Sequence, residues 1–263
     1  MTTPWGGRPS RRTLLTAAGG VLLAACGTAA KRRTAAPSAP AKATAQPLSS
    51  PIVSTRASAP PVGARVVHHA DTGRPEVALT FHGSGEPALA VQLLDEAERA
   101  GAKVTVFAVG TWLVAHPEMA KRILHGGHAL GNHTYTHPTL HRLSVAGIND
   151  EVSRCAAVIR RLTGSPGAAF RPSGGPSITT PMVTAATHAG YPVVLGYDVD
   201  PSDNLDPGAT AVAARVLKDV RAGSVVSLHL GHRGTVDALP HILDGLRARG
   251  LSAVTAPRLL AAR

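Results

Sequence analysis

From Glu76 onward the chain alternates short apolar runs with amphipathic stretches. The first run, Glu76-Val77-Ala78-Leu79-Thr80-Phe81, is too short for a buried helix and is bounded by turn residues, so it predicts a strand. Further strands are predicted at Lys103–Val109, Ala129–Asn132, Ala168–Arg171, Pro192–Asp198, Ser224–Leu230 and Leu251–Thr255. Helices fall between them. The clearest places Val145, Ile148, Val152, Cys155, Ile159 and Leu162 three and four residues apart, with Ser144 suited to the N-cap and Gly164 to the stop. Pro87 suits the first turn of another. Such alternation predicts an α/β domain with a parallel sheet or barrel wrapped by helices, its chemistry collected at the carboxyl ends of the strands.

Before this domain the texture differs. Residues 27–65 are rich in Ala, Pro, Ser and Thr without hydrophobic periodicity, which predicts a disordered tether rather than a packed element. Residues 1–26 read as an export leader: Ser10-Arg11-Arg12-Thr13-Leu14-Leu15, an apolar run, then Leu23-Ala24-Ala25-Cys26. The apolar stretch Thr13–Ala25 would extend about 20 Å as a helix, short of the ~30 Å that a membrane span needs. The Arg-Arg pair resembles a twin-arginine signal and Leu-Ala-Ala-Cys a bacterial lipobox, which implies lipidation at Cys26 and anchoring to the outer face of the cytoplasmic membrane. Cys155 is then the one cysteine left in the domain, so no intramolecular disulfide is expected there.

Charge sharpens this division. The whole chain is formally +11, which by itself would suggest a nucleic-acid or anionic partner. Nine of the 27 basic residues, however, lie within residues 1–65, which hold no acid; the remaining 18 face all 16 acidic residues in 66–263. A nearly balanced domain without a basic stripe excludes nucleic acid as the expected partner.

Five predicted strands end in polar side chains: His82, the run Asn132-His133-Thr134-Tyr135-Thr136-His137, Arg171, Asp198 with Asp200, and His229. Two histidines four residues apart can share one side of a helical turn, and neutral imidazole is a common ligand of a borderline cation such as zinc.

Taken in order, these segments resemble the polysaccharide deacetylase family (NodB homology, carbohydrate esterase family four) over nearly all of residues 75–255. Val77–Phe81 resembles the strand before the family's Asp-Asp-Gly, and His133-Thr134-Tyr135-Thr136-His137 its His-Ser/Thr-x-x-His metal motif. Phe170-Arg171-Pro172, Asp198–Asp203 and Ser227-Leu228-His229 resemble its third, fourth and fifth motifs. The resemblance implies an irregular (β/α) barrel as a single domain over 66–263, a divalent metal, zinc first, on His133 and His137, and an arginine, Arg171, orienting the base. It further implies Asp200 as supporting aspartate, Leu228 in the acetyl pocket and His229 as general acid.

The departure lies at the first motif, where Thr80-Phe81-His82-Gly83-Ser84-Gly85-Glu86 replaces Thr-Phe-Asp-Asp-Gly. Two histidines alone would under-hold a catalytic metal. Either His82 is the third ligand and Glu86 the base, or His82 is the base and Glu86 the ligand. Ser173, Gly174 and Asn204 stand where the family often carries aromatics, which reduces sugar-stacking surface. The expected function is metal-dependent removal of acetyl groups from N-acetyl or O-acetyl sugars of envelope glycans; the alternative is an inactive, tethered glycan-binding lipoprotein of the same fold.

Overall fold

The structure, a computed structural model, describes residues 63–261. The expected leader with Cys26, and the tether as far as residue 62, lie outside the described residues. In chain order the elements are β1 (Arg65–Val67), β2 (Glu76–Gly83), α1 (Pro87–Arg99), β3 (Thr105–Ala108), α2 (Gly110–Ala115), α3 (Glu118–His125), β4 (Ala129–Asn132), α4 (Val145–Thr163) and α5 (Thr180–His188). Then follow β5 (Val193–Leu195), α6 (Ala209–Asp219), β6 (Val225–His229), α7 (Arg233–Ala248), β7 (Ser252–Ala253) and α8 (Ala256–Leu260). No described helix is long and apolar enough to cross a membrane.

Every ladder is parallel. Strands run β4-β3-β2-β6, β7 joins the start of β2, and β1 pairs with β5. Single bridges carry the sheet around. Phe170 bridges Asn132 on one side and Val194 on the other, and Val199 bridges Val226. The ring is therefore an irregular barrel, with full ladders on one side and isolated bridges on the other. The strand expected at Ala168–Arg171 shrinks to the bridge at Phe170, because Pro166-Gly167 and Pro172 flank it closely. Packing also begins slightly earlier than expected: Ala64 is buried and Arg65 already pairs with Val193, so the tether ends before residue 64.

Strand parity sorts the side chains. Val77, Leu79 and Phe81 point outward into the layer shared with α1 and α7, together with Val106, Val226 and Leu228. Each such fully buried side chain contributes about 1.5–3 kcal/mol of apolar burial. The alternate residues point into the barrel: Ala78 packs with Phe107 and Val225 near its base, Thr80 lies above them, and His82 reaches the mouth. Helix α4 forms as the pattern predicts. Ser144 caps it by accepting from the Gly147 N–H, Gly164 ends it in the left-handed region, and Ile148, Val152, Cys155 and Ile159 are buried.

Candidate active site at the mouth of the barrel

His82 leaves the end of β2, His133 follows β4, and His137 lies four residues further along a bent loop rather than on a helical turn. Thr134 and His137 both take left-handed backbone conformations, at φ 69° and 62°. That costly path is held from behind by Glu151 of α4. Its carboxylate accepts from the Tyr135 and Thr136 N–H groups, each at 2.8 Å, and from the Thr136 hydroxyl at 2.7 Å. Charge-assisted bonds of this kind offset the loop's strain. Glu151 shares the buried face of α4 with Ile148, Val152 and Cys155; an acid on an apolar helix face was the signal available in the sequence.

The loop brings the three imidazoles together. One ligand nitrogen from each of His82, His133 and His137 lies within 4.8 Å of the others. His133 donates Nδ1–H to the Arg171 carbonyl at 2.9 Å, which leaves the lone pair on Nε2. That Nε2 is buried and has no hydrogen-bond partner. Burial keeps His82 and His133 well below the usual imidazole range, reinforced by the neighbouring His133 and His137 respectively, and it lowers His137 less strongly. Three neutral nitrogens converging on one point, one of them orphaned, fit the donor set of a borderline divalent cation.

Glu86 does not join them. Gly85 adopts φ +93° with its backbone against Gly231, so close that a Cβ would lie 2.6 Å from the Gly231 Cα. The chain turns outward there, and Glu86 becomes the exposed N-cap of α1. Both alternatives that gave Glu86 a role as base or ligand are thereby corrected. Gly83, where the family carries its second aspartate, faces the helix layer. A Cβ on it would meet Val106 Cγ1 at 2.7 Å and Ala108 Cα at 2.9 Å.

Arg171 is buried one layer below His82. Its guanidinium donates to the Thr80 hydroxyl at 2.7 Å and to the Leu195 and Gly196 carbonyls at 3.0 Å, and it stacks on Phe107. It forms no ion pair with Asp198 or Asp200, and its link to the site is the backbone carbonyl that fixes His133. Burial pulls it down to about 9, which still leaves it charged at neutral pH. Asp198 instead bonds His69, Ser224 and the Val225 N–H.

On the opposite wall His229 packs edge-on against His82, ring centroids 4.4 Å apart. Its Nδ1 lies 2.8 Å from Oδ1 of Asp203, whose other oxygen accepts from the His229 N–H and the Thr235 hydroxyl. Asp203 is buried and holds the imidazole in orientation; Asp200, expected to support the site, instead sits exposed on the cavity rim and accepts from the Ser202 N–H. Leu228 is a second correction of position. Strand parity turns it outward into the helix layer, and Ser227 occupies the cavity floor, one inward-facing step before His229. Cys155 is inert, buried, with its thiol pushed up to about 12.

The groups open into a cavity of about 310 Å³. His82, His133, His137, Ser227 and His229 form its inner part, Pro172 with Gly174–Pro176 one wall, and Tyr197, Asp200 and Asn204 the other. Tyr197 is the single non-histidine aromatic lining it, in keeping with a small stacking surface.

Comparison with known proteins points to the family that the sequence resembles. Residues 69–194 match the family described as polysaccharide deacetylase. The chain is 30% identical over 203 residues to a chitooligosaccharide deacetylase of Bradyrhizobium, covering 72% of this chain and 92% of that one. It is 31% identical over 188 residues to a peptidoglycan-N-acetylglucosamine deacetylase of Bacillus cereus, covering 70% and 68%. The crystal structure of a peptidoglycan N-acetylglucosamine deacetylase superposes with a TM-score of 0.70 at 28% identity, covering 75% of this chain and 94% of that one.

Proposed function

Because the chain belongs to the polysaccharide deacetylase family, we propose that it hydrolyses the acyl bond of N-acetyl or O-acetyl sugars in cell-envelope glycans. The observation that carries this reading is the convergence of His82, His133 and His137 within 4.8 Å at the cavity's inner end, with His229 across from them. In this reading His82 is the third ligand of a divalent metal, zinc first, beside His133 and His137. The chemistry that such a cation supplies when bound is Lewis acidity toward an acyl oxygen and a lowered pKa for neighbouring water.

The chain's own residues do the rest. Asp200, the one carboxylate lining the cavity, accepts the proton of the attacking water in place of the missing aspartate pair. His229, oriented by Asp203, gives a proton to the departing amine or alcohol. Arg171 holds His133 in the tautomer that presents Nε2. The lipobox reading adds that the domain works on the outer face of the cytoplasmic membrane, anchored through Cys26.

Acetate release from acetylated glycan oligomers by the full chain, before and after chelation and with zinc or cobalt restored, tests this. Release that chelation abolishes and metal restores is the expected result, with His133→Ala inactive and metal-poor. Asp200→Asn should release acetate at least about a hundredfold more slowly while keeping its metal. Glycan retention that survives chelation, with no acetate released under any condition, would instead establish a binding protein. The crowding at Gly83, which leaves no room for the second carboxylate, is the observation favouring that second reading.

A further inference from the structure

Ser227 is 1% exposed yet lines the cavity floor. It pairs in register with Thr80 of β2, one inward-facing step before the register pair His82 and His229, whose imidazoles pack on each other above it. These two paired hydroxyls differ in their use. Thr80 is fully engaged, donating to the Val226 carbonyl at 2.5 Å and accepting from Arg171 at 2.7 Å. The Ser227 hydroxyl has one long side-chain contact, 3.4 Å to His82 Nε2, at the limit of a hydrogen bond. A buried hydroxyl so weakly used normally has another partner.

The proposed reaction places the acyl carbon beside His82, His133, His137 and His229, so the acyl substituent is the part of the substrate that reaches this floor. An acetyl methyl would leave the Ser227 hydroxyl buried against carbon. A hydroxyl on the carbon next to the carbonyl would give it a donor and an acceptor. We propose that Ser227 is a specificity-determining residue that selects 2-hydroxyacyl, that is glycolyl, groups over acetyl groups on the sugar nitrogen or oxygen. The inference rests on the hydrolase reading and names its acyl class. In the amide case, hydrolysis forms the bond from water oxygen to the acyl carbon and breaks the acyl carbon–nitrogen bond. Glycolate leaves as the carboxylate, and the sugar amine departs with the proton donated by His229.

A site that hydrogen-bonds a substrate hydroxyl rejects the analogue lacking it, and one such bond is worth about tenfold. The test compares kcat/KM for glycolate and acetate release from N-glycolyl and N-acetyl glucosamine oligomers, using the full chain and Ser227→Ala. The wild-type protein should favour glycolyl about tenfold, and Ser227→Ala should bring the ratio to about one. A wild-type preference for acetyl, or an unchanged ratio in the variant, overturns the proposal. Calorimetric binding of free glycolate and free acetate to the same two proteins supplies an arm that needs no turnover. Tighter glycolate binding lost in Ser227→Ala supports the role of Ser227 even if neither oligomer is cleaved, an outcome that would sink the hydrolase reading alone. Equal binding of the two acids by the wild-type protein overturns the role of Ser227.

Discussion

The carbonyl oxygen of Arg171 lies 2.9 Å from Nδ1 of His133, and this one backbone contact decides which imidazole nitrogen faces the cavity. The neighbouring loop is fixed from the other side by Glu151, three of whose contacts reach residues 135 and 136. The site's donor geometry thus depends on residues that touch neither substrate nor cation.

Glu151→Ala should therefore weaken zinc binding about 10–100-fold, as loss of ligand-orienting partners does. Equilibrium dialysis against a competing chelator measures it, and circular dichroism checks that the fold is kept. Unchanged affinity would mean that the strained loop holds itself.

Chelated protein should lose stability as pH falls. His82, His133 and His137 are all held below their ordinary value of 6.5 by burial, so between their native values and 6.5 the unfolded chain binds more protons than the folded one. Stability is then full above about 6.5 and declines on acidification from there. Thermal midpoints between pH 7.5 and 5, without and with saturating zinc, read this directly. The metal-loaded curve should lie higher throughout.

Gly83→Asp, which restores the family's second carboxylate, should not help the site. Its Cβ would collide with Val106 and with the Ala108 backbone, and its charge would enter the helix layer. A loss of more than about 3 kcal/mol is expected from overpacking and buried charge together. Urea unfolding gives the value, and a gain of acetate release in the variant would contradict the outward-facing placement of position 83.

Asp203→Asn should lower kcat about a hundredfold or more while leaving metal content unchanged, because the carboxylate reaches the cavity through His229 and contacts none of the three clustered histidines. Glu86→Gln should alter neither quantity, since Glu86 is exposed at the start of α1.

Much of the scaffold was legible from periodicity. Strand β2 and helix α4 each carry a pattern of one period with matching end signals, and both form where expected. β1 gives no such signal, because three residues, Arg65–Val67, carry too little pattern to stand out after a Pro-rich segment. The site was legible as a set of histidines, whereas its wiring was not. Asp200 and Asp203 occupy one turn, and spacing alone does not say which one folds back to His229. Ser227 and Leu228 differ by a single step along β6, the step that exchanges cavity for helix layer. Glu151 acts across 15 residues of chain, a contact that only the folded loop creates.

The barrel's seam has a mechanical consequence. Asn132 is joined across it by two backbone bonds, donating to the Ala169 carbonyl and accepting from the Arg171 N–H, on either side of the bridge at Phe170. Asn132 adjoins His133 and the Arg171 carbonyl holds its ring, so the cradle of that imidazole is built across the junction of two strands. A change at that junction would therefore be felt by the barrel wall and the histidine cluster together.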